Sequence, residues 1–171
     1  WIHPICEAFL DGAAELGMPR NPDYNGAAQQ GVGYFQRTIA NGRRMSTAKT
    51  FLRPAMRRPN LRVIAHAQAT RIVCEGRRAV GVEFARGPGA PSRQVRARRE
   101  VLVCAGAINT PKLLMLSGLG DGGRLQQLGI EVVQHLPGVG AQLKDHFSIR
   151  LVARVRDALT INELARAPRA P

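Results

Sequence analysis

The sequence contains few aromatic residues and few cysteines, and it lacks a long apolar run. Aromatic side chains make up 5% of its 171 residues, and there are 3 cysteines. No apolar stretch approaches the roughly 20 residues that span a bilayer, so no transmembrane segment is expected. Cys6, Cys74 and Cys104 lie far apart without C-x-x-C spacing, which argues against a disulfide framework and favours a reduced, cytoplasmic protein.

The N-terminus also lacks the features of a natural start. The chain begins Trp1-Ile2-His3-Pro4, without an initiator Met and without the basic-then-apolar order of a signal peptide. A composition of 44% hydrophobic and 22% charged residues is ordinary for a globular chain. We therefore expect an internal piece of a compact protein, long enough for one buried core or for parts of two.

Basic residues strongly outnumber acidic ones. The 25 Lys and Arg residues against 12 Asp and Glu give a formal net charge of +13, and Lys occurs only at Lys49, Lys112 and Lys144. The arginines are scattered in pairs beside turns, with no basic helix face and few aromatic rings on which bases could stack. We expect weak, salt-sensitive binding to nucleic acid and no specific nucleic-acid partner.

The N-terminal segment predicts a helix, a loop and a strand. Apolar residues recur at helical spacing over 4–16, and Gly17 marks the helix end. Turn-forming residues fill 18–26. The β-branched and aromatic residues of 31–39 predict a strand, and Asn41-Gly42 predicts a turn after it.

The middle of the chain predicts a short helix followed by three strands. A helix capped by Ser or Thr runs over 46–57, and Pro54 should kink or shorten it. From residue 61 the pattern alternates, which predicts a strand over 61–74. Two further strands are predicted at 79–84 and at 94–97.

The pattern changes again at Val101–Cys104, which is continuously apolar. Such a run is typical of a strand covered on both faces of a parallel sheet. A helix capped by Thr110, with Pro111 in its first turn and Gly118 as its stop, would supply the cover. The predicted fold class is α/β, a parallel sheet interrupted by an antiparallel excursion over 79–97.

Ala105, Gly106 and Ala107 join the predicted strand to the predicted helix. Their small side chains would leave backbone N–H groups accessible to a phosphate or a ribose at the start of the helix. A tight strand-to-helix crossing, which needs Gly and Ala only for packing, explains the same residues. The residues alone leave both alternatives open.

A glycine cluster at 118–123 formally matches the dinucleotide-binding pattern G-x-G-x-x-G, with Asp145 at about the distance of a ribose-binding acid. The helix that follows is too short for such a site before Gly129 ends it, and a predicted strand at 130–133 comes too soon. We therefore interpret the glycines as a helix stop and a turn.

Few other residues are candidates for chemistry. Asp145 and His146 place a carboxylate beside an imidazole, before a predicted strand at 147–152. No second His, Glu or Cys has metal-ligand spacing to His146, and no Ser lies in a nucleophile elbow. We predict no metal site, and we interpret the Asp-His pair as structural.

One long run of residues resembles a known family. Gly106–Gly120 is similar throughout to the second signature of the glucose-methanol-choline flavoprotein oxidoreductases. Further motifs stand in the order that this family uses: Gly31-Val32-Gly33-Tyr34-Phe35-Gln36, Gly42-Arg43-Arg44-Met45-Ser46, Arg58-Pro59-Asn60-Leu61-Arg62-Val63, Arg78-Ala79-Val80-Gly81-Val82-Glu83, and Leu136-Pro137-Gly138-Val139-Gly140 with Asp145-His146. The resemblance covers about residues 20–155 and is closest to the choline and alcohol dehydrogenase branch.

The resemblance implies an FAD enzyme that oxidises a primary alcohol or a choline-like CH–OH group. The hydroxyl would lose its proton to an active-site His while hydride passes to flavin N5. The backbone of Ala69 would contact the adenine, and Ala105, Gly106 and Ala107 would line the adenosine side of the cofactor. None of the four His residues occupies the family's catalytic position, so no catalytic residue is predicted in this chain.

The departures from the family pattern matter for the domains. The family's N-terminal G-x-G-x-x-G unit and its C-terminal segment with the catalytic His have no counterpart here. The resemblance thus implies an internal fragment: a substrate-domain portion at 1–45, an FAD-binding portion at 46–124, and a second substrate-domain portion at 125–171 that frays from Arg156. Such a fragment is expected not to retain FAD by itself.

A second hypothesis comes from a different functional class. The chain could be a non-catalytic, basic binding module that keeps the flavoprotein scaffold without its cofactor. The identity of the alcohol, the electron acceptor and the oligomeric state are not predicted by either hypothesis.

Overall fold

The computed structural model describes residues 2–160 together with 162 and 163. The chain falls into two compact units, one formed by Trp1–Pro59 with Ile149–Pro171 and the other by Asn60–Ser148. Both contain short strands or helices, so the mixed α/β class is confirmed. The assignment of 46–124 to an FAD-binding portion stays a prediction.

The first unit begins with the predicted helix. Helix α1 spans Pro4–Glu15, and the Nδ1 atom of His3 accepts the N–H of Ile5 at 3.2 Å. Pro4 occupies the first turn, where a missing N–H costs nothing, and Leu10 is the buried side chain of the helix. Gly17, with φ +87°, follows the helix end as predicted.

The strand predicted at 31–39 is wrong. Instead Val32 forms a single bridge to Arg20, in which the N–H of Val32 donates to the carbonyl of Pro19 at 2.9 Å. A Cβ atom at Gly31 would collide with the Pro19 carbonyl, and one at Gly33 with the Asn21 carbonyl. These glycines therefore allow a close approach between two loops, which excludes regular strand pairing there.

A short hairpin follows. Strands β1 (Ile39–Ala40) and β2 (Arg43–Arg44) pair antiparallel around Asn41-Gly42. Asn41 has φ +50° and Gly42 has φ +67°, the two positive angles of a type I′ turn, so the predicted turn is confirmed.

The helix predicted at 46–57 is shorter and partly widened. A π-helical segment spans Ala48–Leu52 and continues into helix α2 at Arg53–Ala55. The N–H of Arg53 reaches the carbonyl of Ala48, one residue further back than in an α-helix. The wider turn lies directly before Pro54, whose ring opposes a regular α-helical turn and which has no N–H to donate.

The second unit contains a three-stranded antiparallel sheet in the order β3-β4-β5. Its strands span Gln68–Glu75, Arg78–Ala85 and Arg93–Arg96, so the predicted antiparallel excursion is confirmed. The strand start predicted at residue 61 is wrong. His66 has φ +52°, which breaks the extended backbone immediately before β3.

The buried strand predicted at Val101–Cys104 does not form. These residues have irregular backbone, and Leu102 is 77% exposed. The sequence pattern also predicts that this strand pairs in parallel with the strand at Ala69. That prediction is wrong, because 101–104 pairs with no strand among the described residues and Ala69 lies opposite Phe84 in the antiparallel pair β3-β4. An apolar run becomes a covered strand only beside pairing strands, and none lies beside it among the described residues.

The helix after this segment starts earlier than predicted. Helix α3 spans Gly106–Leu116, so Thr110 is not its cap and Pro111 lies inside it. Pro111 has no N–H to donate to the Ala107 carbonyl, and its ring disfavours a regular turn there. Gly118, with φ +80°, follows the C-cap and ends the helix as predicted.

Ser117 ties α3 to the sheet. Its hydroxyl accepts the N–H of Ile72 at 2.8 Å and donates to the Leu113 carbonyl at 2.6 Å. Ile72 lies on β3, an edge strand whose outward N–H groups face no partner strand in the part of the chain that the structure describes. Ser117 is 2% exposed, so this polar contact is made away from water.

The rest of the unit is a small parallel pair closed by a helix. Strands β6 (Leu119–Gly120) and β7 (Gln134–His135) pair in parallel, and helix α4 (Gly122–Gln127) connects them. Leu125 of α4 is fully buried.

The strands predicted at 130–133 and 147–152 are wrong. In the first case the chain pairs only from residue 134, where the N–H groups of Val133 and Gln134 both donate to the Gly118 carbonyl. In the second case the segment is irregular and exposed. The predicted fraying from Arg156 falls largely on residues 161 and 164–171, which lie outside the described residues.

We predict that Ser117→Ala destabilises the second unit by about 1–3 kcal/mol, because a buried N–H loses its acceptor. Urea denaturation measures the loss, and hydrogen exchange at the Ile72 amide should accelerate with it. Ser148→Ala, at an exposed position, serves as the matched control. Unchanged exchange at Ile72 in the Ser117 variant would contradict the role assigned to the hydroxyl.

Candidate functional site

The N-terminus of α3 is the first element of the candidate site. Ala105 is its N-cap residue, and no side chain among the described residues caps the helix there. Ala105, Gly106 and Ala107 are all exposed, and apart from its chain neighbours and the backbone of its own helix no heavy atom lies within 4 Å of a Cβ built at Gly106. The first N–H groups of the helix are thus accessible, and the helix dipole makes this end positive.

Gly106 has φ +85°, a left-handed conformation that disfavours side chains. The two residues beside it are alanines, so the backbone is bordered by methyl groups only. This combination allows a ligand to contact the backbone directly, which is the chemistry suited to a phosphate or a ribose hydroxyl.

Ala69 is the second element. It is half-buried on β3, opposite Phe84, and the register shifts immediately after it, so that Thr70 has no partner on β4. This β-bulge bends the strand locally. It borders an open cavity of about 630 Å³, lined by His66, Ala67, Gln68, Thr70, Ala85, Gly87 and Pro88.

Both elements belong to the second unit. Helix α3 packs against β3, and the Ser117 hydroxyl joins them at the helix C-terminus. Gly106 lies at the opposite end of the same helix, about 16 Å along its axis at 1.5 Å per residue. Ala69 and the Ala105–Ala107 segment are not paired in one sheet, and their common role in cofactor binding stays a prediction.

The cavity beside Ala69 was not predicted from the sequence. It is lined in part by His66, whose φ is positive, and by Thr70 at the bulge, and the alternating pattern of the sequence predicts neither feature. The regular strand predicted over 61–74 would form no cavity at this position.

The glycine cluster at 118–123 has the structural role that the sequence predicts. Gly118 ends α3, and the following helix α4 has 6 residues. Its first N–H groups already have partners. Gly122 N–H donates to Nδ1 of His135 at 2.9 Å, and Arg124 N–H donates to Oδ1 of Asp121 at 2.9 Å. Two of the donors that a phosphate loop would need are therefore occupied.

The histidines and cysteines form no metal site. Asp145 and His146 are fully exposed, with 3.8 Å between Oδ1 and Nδ1, and the Asp145 carboxylate accepts the N–H of His146. In the part of the chain that the structure describes, no group of three or more His, Cys, Asp or Glu residues could hold a metal ion. Cys6, Cys74 and Cys104 are free thiols.

A cluster of charged and phenolic groups lies in the first unit, outside the candidate site. Arg20 forms ion pairs with Glu7 and Asp11 of α1, and the Tyr34 hydroxyl donates to Glu7 at 2.7 Å. Reduced solvation, followed by the hydrogen bond to Glu7, raises the pKa of Tyr34 from 10.0 to about 12. The hydrogen bonds that Arg20 donates to Asp11 and then to Glu7 raise the pKa of Arg20.

One further shift lies near the C-terminus. The backbone N–H of Thr160 donates to the Glu163 carboxylate at 2.6 Å, which lowers the pKa of Glu163. The Thr160 hydroxyl donates to the same oxygen at 2.9 Å. In return the N–H of Glu163 donates to the Thr160 hydroxyl at 3.4 Å, and this reciprocal pattern is a capping box.

Comparison with known proteins gives a consistent family match. The family model described as GMC oxidoreductase matches residues 2–148. An oxygen-dependent choline dehydrogenase from Brucella anthropi is 44% identical over 159 residues, which is 93% of this chain and 28% of that protein. One from Burkholderia ambifaria is 43% identical over 161 residues, or 94% of this chain and 28% of that protein.

Solved structures agree with this match. An FAD-dependent oxidoreductase from Chaetomium thermophilum has a TM-score of 0.71 at 30% identity, over 81% of this chain and 24% of that one. Pyridoxine 4-oxidase from Mesorbium loti has a TM-score of 0.67 at 31% identity, over 80% of this chain and 26% of that one. Among the described residues, no helix has the length and apolar character needed to cross a membrane.

We predict that the Tyr34 phenol ionises at about pH 12 instead of 10.0 and that Tyr34→Phe removes this high-pH step. The folded state holds the proton of Tyr34 more tightly, so the stabilisation from this group is present below pH 10 and is lost as the pH rises through about 12. Ultraviolet titration of phenolate absorbance measures it. Tyr24→Phe is the control, and a high-pH step that survives in Tyr34→Phe would refute the assignment.

Proposed function

The chain belongs to the GMC oxidoreductase family, and from this premise we propose that it forms part of an FAD-dependent enzyme that oxidises a primary alcohol or a choline-like CH–OH group. The two relatives described above are named choline dehydrogenases, and the chain spans 28% of their length. We therefore propose the activity for the complete protein, with a small-molecule alcohol as its substrate.

The observation that carries the proposal is the accessible N-terminus of α3. FAD brings phosphate and ribose oxygens, which accept hydrogen bonds from backbone N–H groups. Ala105, Gly106 and Ala107 offer such groups, and the open space around Gly106 fits a ligand in contact with the backbone. These residues would hold the adenosine side of the cofactor, with the backbone of Ala69 toward the adenine.

The chemistry itself belongs to the cofactor, which supplies the hydride acceptor at flavin N5 when it is bound. This chain would contribute binding and orientation. We assign no catalytic role to its histidines. His3 accepts the N–H of Ile5, and His135 accepts that of Gly122. The group that takes the hydroxyl proton is proposed to come from another part of the complete protein.

The decisive experiment compares the complete protein with residues 1–171 alone. We expect the complete protein to carry visible oxidised flavin and to turn over choline or a primary alcohol with a dye as electron acceptor. The isolated chain should be colourless after gel filtration, because the proposed contacts cover only part of the cofactor. A complete protein without flavin and without turnover would overturn the proposal. Stoichiometric flavin bound to the isolated chain would contradict the prediction that this chain holds only part of the cofactor site.

A pair of substitutions on α3 tests the site. Ala107 and Lys112 are both exposed on this helix, and Leu is a good helix former at either position. In the complete protein, Ala107→Leu should lower FAD affinity about tenfold or more, because its side chain blocks approach to the backbone. Lys112→Leu should leave flavin content unchanged. Equal flavin content in the two variants would remove the N-terminus of α3 from the proposed site.

A further inference from the structure

The chain contains two Asn-Gly dipeptides, Asn25-Gly26 and Asn41-Gly42. Both belong to the first unit, and both lie on exposed backbone. The two dipeptides have the same sequence, but their side chains and backbone N–H groups form different hydrogen bonds in the structure. The difference concerns the two groups that react when an asparagine deamidates.

Deamidation at Asn-Gly needs no enzyme and no cofactor. The backbone nitrogen of the glycine loses its proton and attacks the side-chain carbonyl carbon of the asparagine, and ammonia leaves as a five-membered succinimide closes. Water then opens either of the two imide carbonyls, which gives aspartate or isoaspartate. The net reaction consumes one water and releases one ammonia. Glycine favours it because no Cβ obstructs ring closure.

Both reacting groups are free at Asn41. The side chain of Asn41 forms no hydrogen bond with any described residue, and the N–H of Gly42 donates none either. Their positive φ angles put the pair at the tip of the type I′ turn, where both residues are exposed. The side chain can therefore rotate and the glycine nitrogen can lose its proton to solvent.

Both reacting groups are held at Asn25. Its side-chain amide donates to Oε1 of Gln36, and the N–H of Gly26 donates to the Asp23 carbonyl at 3.0 Å. The network closes through Asp23, whose Oδ1 accepts the N–H of Asn25 at 3.1 Å and Nε2 of Gln36 at 2.7 Å. Attack at this site requires these contacts to open first.

We propose that Asn41 is a site of spontaneous deamidation and isoaspartate formation, and that the fold protects Asn25 from the same reaction. At isoaspartate the main chain runs through the side-chain carbons and is one methylene longer. The two-residue turn then no longer aligns Ala40 with Arg43 or Ile39 with Arg44. Either product also adds a negative charge beside two arginines.

The test is incubation of the purified complete protein in its native state at mildly alkaline pH, followed by peptide mapping and detection of isoaspartate. Asn41 should react faster than Asn25 by roughly tenfold or more, the factor that two hydrogen bonds impose on local opening. In urea the two sites should react at similar rates. Comparable native rates at both sites, or an equal preference for Asn41 in urea, would overturn the proposal.

Two variants make the test specific. Gln36→Leu removes the acceptor of the Asn25 side chain, so deamidation at Asn25 should rise about fivefold while that at Asn41 stays constant. Asn41→Gln should abolish the isoaspartate signal from the turn, since Gln cannot form the five-membered ring. No change at Asn25 in Gln36→Leu would show that the hydrogen-bond network is not what protects it.

Discussion

The second unit depends on one side-chain hydroxyl. Ser117 satisfies an outward N–H of the edge strand β3 and at the same time bonds back to its own helix at Leu113. Because the contact is buried, it fixes the C-terminal end of α3 on the sheet, and the direction of an 11-residue helix follows. The N-terminus of α3, with its small residues, is exposed to solvent, and the Ser117 contact that holds the helix lies about three turns away from it.

Local signals in the sequence predicted the local features of this fold. Glycines with positive φ were found at helix ends and in the type I′ turn, and these conformations depend only on the residue and its neighbours. Strand pairing depends on residues far apart in sequence. The contact between Ile72 and Ser117 joins residues 45 positions apart, and nothing in the composition of either segment indicates it.

The candidate site also has one part that the local sequence predicts and one part that it does not. The small residues at 105–107 were predicted from the sequence because their size alone permits close approach of a ligand. The cavity beside Ala69 was missed because it comes from a bulge at Thr70 and from the unusual backbone of His66. Val101–Cys104 illustrates the reverse error, since its apolar pattern indicates a covered strand but the pairing strands are not among the described residues. An apolar pattern indicates that a segment needs to be covered, but whether it becomes a buried strand depends on the strands that lie beside it.

Strand β5 has a consequence for colloidal behaviour. It forms the outer edge of its sheet, and its four residues are exposed, with Val95 as the apolar position. Arg93 and Arg96 stand at its two ends. Arg96 also forms an ion pair with Glu75. Pairing with a copy of the same strand would remove water from these charged groups, which disfavours edge-to-edge growth into fibrils. Solvated charged side chains thus act, at this edge, as a barrier to self-association.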